Sequence, residues 1–256
     1  LPPQASAHAA QLDTITLLVH ALMLAVLVGW GGVFVYSLIR FRRSRHPKAD
    51  YHGPKGRSSA YSEAAIVIAE LVLLVGFSIP AWATRARDLP PEHEAIVIRV
   101  VAEQFAWSAH YAGADDAFSR LDPALTAADN PLGLDPLSPE GKDDITTINE
   151  IVVPLGRPVI VHLSAKDVIH SFGIPAMRVK QDANPGMMTP VWFTPTLKGD
   201  FDIACSQLCG LGHYRMRAVL RVVDDGEFRQ WLARQSATLK SSSFSSASSP
   251  ILASGQ

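Results

Sequence analysis

The chain of 256 residues is 48% hydrophobic and carries 23 basic against 24 acidic side chains, a formal net charge of −1. That length suffices for a well-filled core with further elements. So balanced a charge gives no chain-wide basic field, and no nucleic-acid partner is expected.

Residues 1–13 (LPPQASAHAAQLD) hold no Lys or Arg, so they lack the basic start of a secretory signal. They read as an exported segment of the kind that remains once such a signal is removed. Residues 14–39 then run for 26 positions without a formal charge, and a second apolar run, 64–83, holds only Glu70. Each reaches the roughly 20 residues a helix needs to cross a bilayer. A transmembrane hairpin over 14–88 is therefore expected, with Gly29, Gly31 and Gly32 smoothing the first helix for close packing and His20 as a packing or helix-bonding group. The linking loop 40–61 contains Arg40, Arg42, Arg43, Arg45, Lys48, Lys55 and Arg57 against Asp50, which places it in the cytoplasm and both termini on the outer side. Glu63 opens the second span, as either a proton-uptake group or an acid favoured by the helix macrodipole. Glu70 lies about 10 Å deeper, as a buried, protonated, hydrogen-bonded group or a proton carrier.

From residue 93 to 235 the pattern becomes that of a β domain. Short β-branched or aromatic runs (95–102, 105–111, 150–153, 159–164, 190–193, 201–204 and 217–223) are separated by Pro and Gly, which predicts an antiparallel sandwich or barrel. A helix at 225–232 closes it, and the Ser-rich tail 236–256 reads as disordered. Residues 112–150 carry nine acids against two bases, either a plain solvated loop or a field that steers a basic partner.

Chemistry concentrates in Cys205-Ser206-Gln207-Leu208-Cys209-Gly210-Leu211-Gly212-His213-Tyr214-Arg215-Met216, which holds both cysteines of the chain. Thiolate, imidazole and thioether donors form a soft set that favours copper. In an extended strand the two cysteines would stand roughly 13 Å apart, so they share a site only if the segment folds into a compact loop, with Gly210 and Gly212 lending backbone freedom. Three readings stay open: a disulfide, a blue-copper site that leaves one cysteine over, and a dinuclear copper site with both sulfurs bridging. A further ligand is needed from elsewhere. His170 is the first candidate, with His162 and His110 as alternatives in strand patterns.

The loop resembles the Cys-x3-Cys-x3-His-x2-Met copper (CuA) loop of the cytochrome c oxidase subunit II family. The stretches Asp167-Val168-Ile169-His170-Ser171-Phe172-Gly173-Ile174-Pro175 and Lys180-Gln181-Asp182-Ala183-Asn184-Pro185-Gly186 resemble its other signature, over roughly residues 14–235. The resemblance implies a cupredoxin-like domain behind the hairpin, with Cys205 and Cys209 as bridging thiolates, His170 and His213 on one copper each, and Met216 and the Gln207 backbone carbonyl as weak ligands. It further implies cytochrome c as electron donor near the acidic 112–150 loop, subunits I and III as partners, and a bacterial inner membrane as location. Three positions qualify this. Gln207 stands where many members have a Glu that helps bind Mg or Mn, which puts that second metal in doubt. Phe105-Ala106-Trp107 replaces Trp-x-Trp, so the electron-receiving position falls on Phe105, with Trp107 as route or core aromatic. Glu63 matches the family's acid at a proton channel, whereas Glu70 has no counterpart. Rival readings are a copper-free quinol oxidase subunit, against which the cysteines argue, and a nitrous-oxide-reductase-like CuA domain, against which the two spans argue.

Overall fold

The computed structural model describes residues 1–247 except 49–50, 53–55, 114, 128–129 and 136. Two compact units emerge, one formed by Ala10–Asp88 and the other by Leu1–Ala9 with Leu89–Gln256.

The first unit is the hairpin. Helix α1 (Ala9–Arg40) is followed by α2 (Ser58–Leu73), a π turn (Leu74–Ser78) and α3 (Ile79–Arg87). Two helical stretches, Ala9–Arg40 and Ser58–Arg87, are long and apolar enough to cross a membrane. Pro80 explains the π turn between α2 and α3. It has no N–H to give to the carbonyl four residues back, and the wider turn, with Ile79 N–H donating to the Leu74 carbonyl, absorbs the break. Leu24, Leu27, Phe34 and Leu38 on α1 and Ile68, Val72 and Val75 beyond it stay exposed, as helices solvated by lipid require. A crevice of about 460 Å³ between α1 and α2 is lined by Leu22, Ala25, Gly29, Val33, Ser62, Ala65 and Ala69, among others. The glycines do less here than expected: a Cβ on Gly29, Gly31 or Gly32 would meet nothing within 4 Å. His20 Nδ1 lies 2.7 Å from the Thr16 carbonyl, one turn back on its own helix. Glu63 accepts a 2.7 Å hydrogen bond from Ser59 Oγ.

The second unit is a β-sandwich of two five-stranded sheets, ordered β3-β2-β1-β5-β8 and β4-β10-β9-β6-β7. Its strands are β1 (Ile96–Glu103), β2 (Ala106–Tyr111), β3 (Ile145–Ile148), β4 (Glu150–Pro154), β5 (Val159–Ala165), β6 (His170–Ile174), β7 (Val179–Ala183), β8 (Thr189–Phe193), β9 (Gly199–Cys205) and β10 (Arg217–Val223). The sheets are mixed, not purely antiparallel: β1 runs parallel to β5 and β4 parallel to β10. Alternation sets the faces, so Ile98, Val100 and Ala102 on β1 and Leu220 and Val222 on β10 are buried in the shared core with Leu163, Phe172, Ile174 and Ile203. Helix α4 (Asp225–Ala247) is longer than the expected closing turn and carries helix through much of the Ser-rich tail; Ala233, Ala237 and Leu239 are good helix formers, and 248–256 lie outside the described residues. Phe228 and Trp231 anchor α4, with Trp231 edge-on to Tyr111 at 5.1 Å.

The N-terminal segment belongs to this unit. Ala5 N–H donates to the Ala176 carbonyl, Ala7 N–H to that of Thr194 and Thr196 N–H to that of Ala5, at 2.8–3.0 Å. The acidic stretch 112–150 is also more structured than a plain loop. Asp115, Asp122 and Asp135 each accept the backbone N–H two residues on, which is turn chemistry. Asp144 is buried and takes a 2.8 Å contact from His110 Nε2 and a hydrogen bond from Ser119 N–H. Burial works against the Asp144 carboxylate, but these bonds hold it below the usual carboxylate range. Asp129 lies outside the described residues.

Candidate metal centre

Strand pairing builds the site. β9 delivers Cys205 at its last position, β10 starts at Arg217 opposite Ala204, and Cys205 N–H donates to the Met216 carbonyl at 3.1 Å. Residues 206–215 are therefore a closed loop between two antiparallel strands. β6 lies on the other side of β9, with Phe172 opposite Cys205, and Ser206 N–H reaches the Ser171 carbonyl at 2.9 Å. His170, thirty-five positions earlier, is thereby brought beside the loop.

All six expected donors converge. Cys205 Sγ lies 3.8 Å from Cys209 Sγ, 4.0 Å from His170 Nδ1 and 3.1 Å from the Gln207 carbonyl oxygen. Cys209 Sγ lies 3.6 Å from His213 Nδ1 and 3.7 Å from Met216 Sδ. Both cysteines are free thiols, which sets the disulfide reading aside in this state. His170, Cys205 and Cys209 form the one metal-competent cluster of His, Cys and acidic groups among the described residues. His162 and His110 do not join it: His162 Nε2 stands 3.7 Å from Glu92, and His110 is spent on Asp144.

The arrangement fits a soft metal on chemical grounds. His170, Cys205, Cys209 and Met216 are buried, and two sulfurs less than 4 Å apart lie between two imidazole nitrogens. Burial, followed by the hydrogen bond with Cys205, pushes the Cys209 thiol up to about 11. Loading must therefore displace protons, as thiolate binding of metals does.

The orienting groups were not legible beforehand. Asp167 Oδ1 sits 2.8 Å from His170 Nε2, which leaves Nδ1 free to face the sulfurs; a carboxylate behind a ligating histidine fixes its tautomer and ring plane. Asp167 is itself held by Gln104 N–H and Val168 N–H, both at 2.7 Å. Gln104 Nε2 also donates to the Cys209 carbonyl at 2.5 Å. The only advance signal was a carboxylate three residues before a candidate ligand.

Phe105 and Trp107 separate clearly. Trp107 is 1% exposed and meets Phe172 and His170 edge-on, with ring centroids 5.3 and 6.2 Å apart. Phe105 is half-buried and packs on the metal loop. A Cβ on Gly212 would lie 2.6 Å from Phe105 Cγ and 2.7 Å from its Cε2. Gly212 has φ −91°, so it is needed for space and not for backbone freedom; Gly210, at φ +130°, is the position that needs freedom. Replacing Gly212 with Ala is expected to cost about 1–3 kcal/mol through overpacking, read as a lower thermal midpoint. The double variant with Phe105→Ala should recover more than half of that loss.

A sequence profile for the family described as cytochrome c oxidase subunit II, periplasmic domain, matches residues 96–223. The chain belongs to the cytochrome c oxidase subunit II family. An alternative cytochrome c oxidase subunit 2 of Bradyrhizobium diazoefficiens is 33% identical, with 72% of this chain and 69% of the relative aligned. The cytochrome c oxidase subunit 2 of Cereibacter sphaeroides is 28% identical over 90% of this chain and 78% of its own. The crystal structure of the periplasmic domain of subunit II of cytochrome oxidase from Bradyrhizobium japonicum shares 31% identity and covers 59% of this chain and 99% of its own, with a TM-score of 0.44.

Proposed function

We propose that this chain is the electron-accepting subunit of a cytochrome c oxidase and holds a dinuclear copper (CuA) centre. The observation that carries this is the convergence of His170, Cys205, Gln207, Cys209, His213 and Met216 at 3.1–4.0 Å. Cys205 and Cys209 would bridge, His170 and His213 would each bind one ion, and Met216 and the Gln207 carbonyl would be weak ligands. Such a pair supplies one-electron chemistry spread over two metals and two sulfurs. The protein's own part is to exclude water with Trp107 and Phe172, to fix His170 through Asp167, and to hold the loop rigidly between β9 and β10 so that little rearranges with charge.

Electrons would come from cytochrome c and continue to haem in subunit I, where oxygen becomes water, with subunit III as a further partner. Leu208, Leu211 and Tyr214 on the metal loop are 76%, 97% and 86% exposed. Exposed apolar groups of this size mark contact surfaces, and here they surround the donor atoms. The acids of 112–150 would steer a basic donor, less Asp144, whose charge faces His110 inside the fold. Glu63, at the start of α2, would take up protons at the cytoplasmic edge. The Gln207 side chain is exposed and brings no charge, so no Mg or Mn site is assigned. The location is a bacterial inner membrane, with both termini on the outer side.

The test is metal loading of the full chain in detergent. About two copper ions per chain, with the spectrum of a delocalised mixed-valence pair, are expected; one ion, or none with a Cys205–Cys209 disulfide, would overturn the reading. In a Met216→Leu variant, copper should stay bound and its reduction potential should shift, because a long thioether contact tunes a site more than it holds it. Potentiometry beside metal analysis checks this, and loss of all copper would make Met216 a strong ligand.

A further inference from the structure

Glu70 is not used by the metal centre, and its setting is unusual. It lies near the middle of the apolar stretch Ser58–Arg87, about 18 Å along the helix from Ser58. The side chain is exposed, and among the described residues no hydrogen bond or ion pair satisfies it. An ionisable group at this depth is costly in lipid and normally faces protein. Its own hairpin does not provide that cover. The crevice toward α1 is lined by Ser62, Ala65, Ile66 and Ala69 on α2, whereas Glu70 points about a quarter-turn away from the centre of that face. Glu63, seven residues earlier, differs from Glu70 by only about 20° around the helix, and Ser59, bonded to Glu63, lies on the same line. One polar stripe, Ser59-Glu63-Glu70, thus runs down a side of α2 that α1 leaves open.

We infer that this stripe is a docking face for a transmembrane helix of a partner subunit, which presents a hydrogen-bond donor (hydroxyl, amide or amine) to Glu70 at mid-bilayer depth. The inference rests on the proposed membership of a membrane complex and adds which side of α2 is covered and by what chemistry. Complementarity argues for a polar protein partner over lipid. A lipid chain offers no donor, and a carboxyl twelve residues into the span cannot reach either headgroup layer with a side chain of its length.

The experiment isolates the full chain, by a tag, from membranes of cells expressing the whole oxidase, in three forms: unaltered, Glu70→Gln and Glu70→Leu. Gln keeps an acceptor and should co-purify with the haem-bearing chain at the unaltered level. Leu should reduce that yield roughly three- to twenty-fold, the range of interhelical hydrogen bonds in membranes, while copper loading and outer-domain folding stay unchanged. A photoactivatable cross-linking residue at Leu74, one turn from Glu70, should capture a polytopic protein, and the same group at Ile68, on the far side of α2, should not. Wild-type yield in the Leu variant, or capture of lipid alone from Leu74, would overturn the inference. If the unaltered chain carries no haem-bearing partner, the oxidase reading falls; with that partner present, its capture from Leu74 upholds the docking face, and capture of only an unrelated membrane protein overturns it.

Discussion

A Cys209→Ser chain is expected to lose the proposed copper pair while keeping its fold. Cys209 Sγ contacts three of the other donors: Cys205 Sγ at 3.8 Å, His213 Nδ1 at 3.6 Å and Met216 Sδ at 3.7 Å. The ligating atoms of His213 and Met216 both meet this one sulfur, so its removal takes away the bridge that joins them to the rest of the site. Serine is nearly isosteric with a reduced cysteine and leaves no cavity, so the protein without metal should unfold at close to its usual temperature. Copper should fall from about two ions to at most one per chain, and the mixed-valence spectrum should vanish, because a hydroxyl is a harder and far weaker ligand than a thiolate. Metal analysis with thermal unfolding separates the two effects. Two coppers retained in the variant would show that Cys209 does not bridge. Cys205→Ser should behave alike, since Cys205 joins His170 and the Gln207 carbonyl to the same centre.

Much of this was readable from residue order because ligand chemistry is local. Five of the six donors fall within twelve residues, and the compact loop that the Cys205–Cys209 separation demanded is the β9–β10 connection. Long apolar runs gave both membrane helices for the equally local reason that lipid imposes one requirement on every residue. What stayed hidden depends on partners distant in the chain. β6 and β7 were not read as strands, since His170-Ser171-Phe172-Gly173-Ile174 and Val179-Lys180-Gln181-Asp182-Ala183 show no clean alternation; β6 is buried at every position between β9 and β7. β3 was concealed inside the acidic stretch. Parallel pairing of β1 with β5 links residues more than sixty apart, which periodicity cannot report. Gly212 was misread for the same reason: the object that requires it, the Phe105 ring, is over a hundred positions upstream. Asp167 and Gln104 became orienting groups only when β1, β2 and the metal loop met in space. The acids at 115, 122 and 135 show the reverse case, in which a charge count suggested a field and the backbone uses each as a local turn former.

Trp107 yields the other large effect, and its two readings part there. Truncation to Ala should cost about 3–5 kcal/mol, the range for a fully buried aromatic, and lower the thermal midpoint of the β-sandwich domain by roughly 10 °C. The ring is 1% exposed and walls off both Phe172 and His170, while the Trp107 backbone is pinned at both ends by Asn149, through Trp107 N–H to Oδ1 at 2.9 Å and Asn149 N–H to the Trp107 carbonyl at 2.7 Å. The backbone should therefore stay in place and the vacated volume should stay open, loosening His170 and weakening copper retention under a chelator. Trp107→Phe decides the role. The indole Nε1 is buried without a hydrogen-bond partner among the described residues, so its loss strands no acceptor, and a phenyl ring fills most of the space. That variant should recover more than half of the lost stability and accept electrons from cytochrome c at the unaltered rate, because a ring sealed inside the sandwich cannot be the surface a docked donor touches. Stopped-flow reduction of the copper centre checks this. A tenfold slower rate with an unchanged thermal midpoint would make Trp107 part of the electron route, and slowing confined to Phe105→Ala would place the route at the half-buried ring over the metal loop.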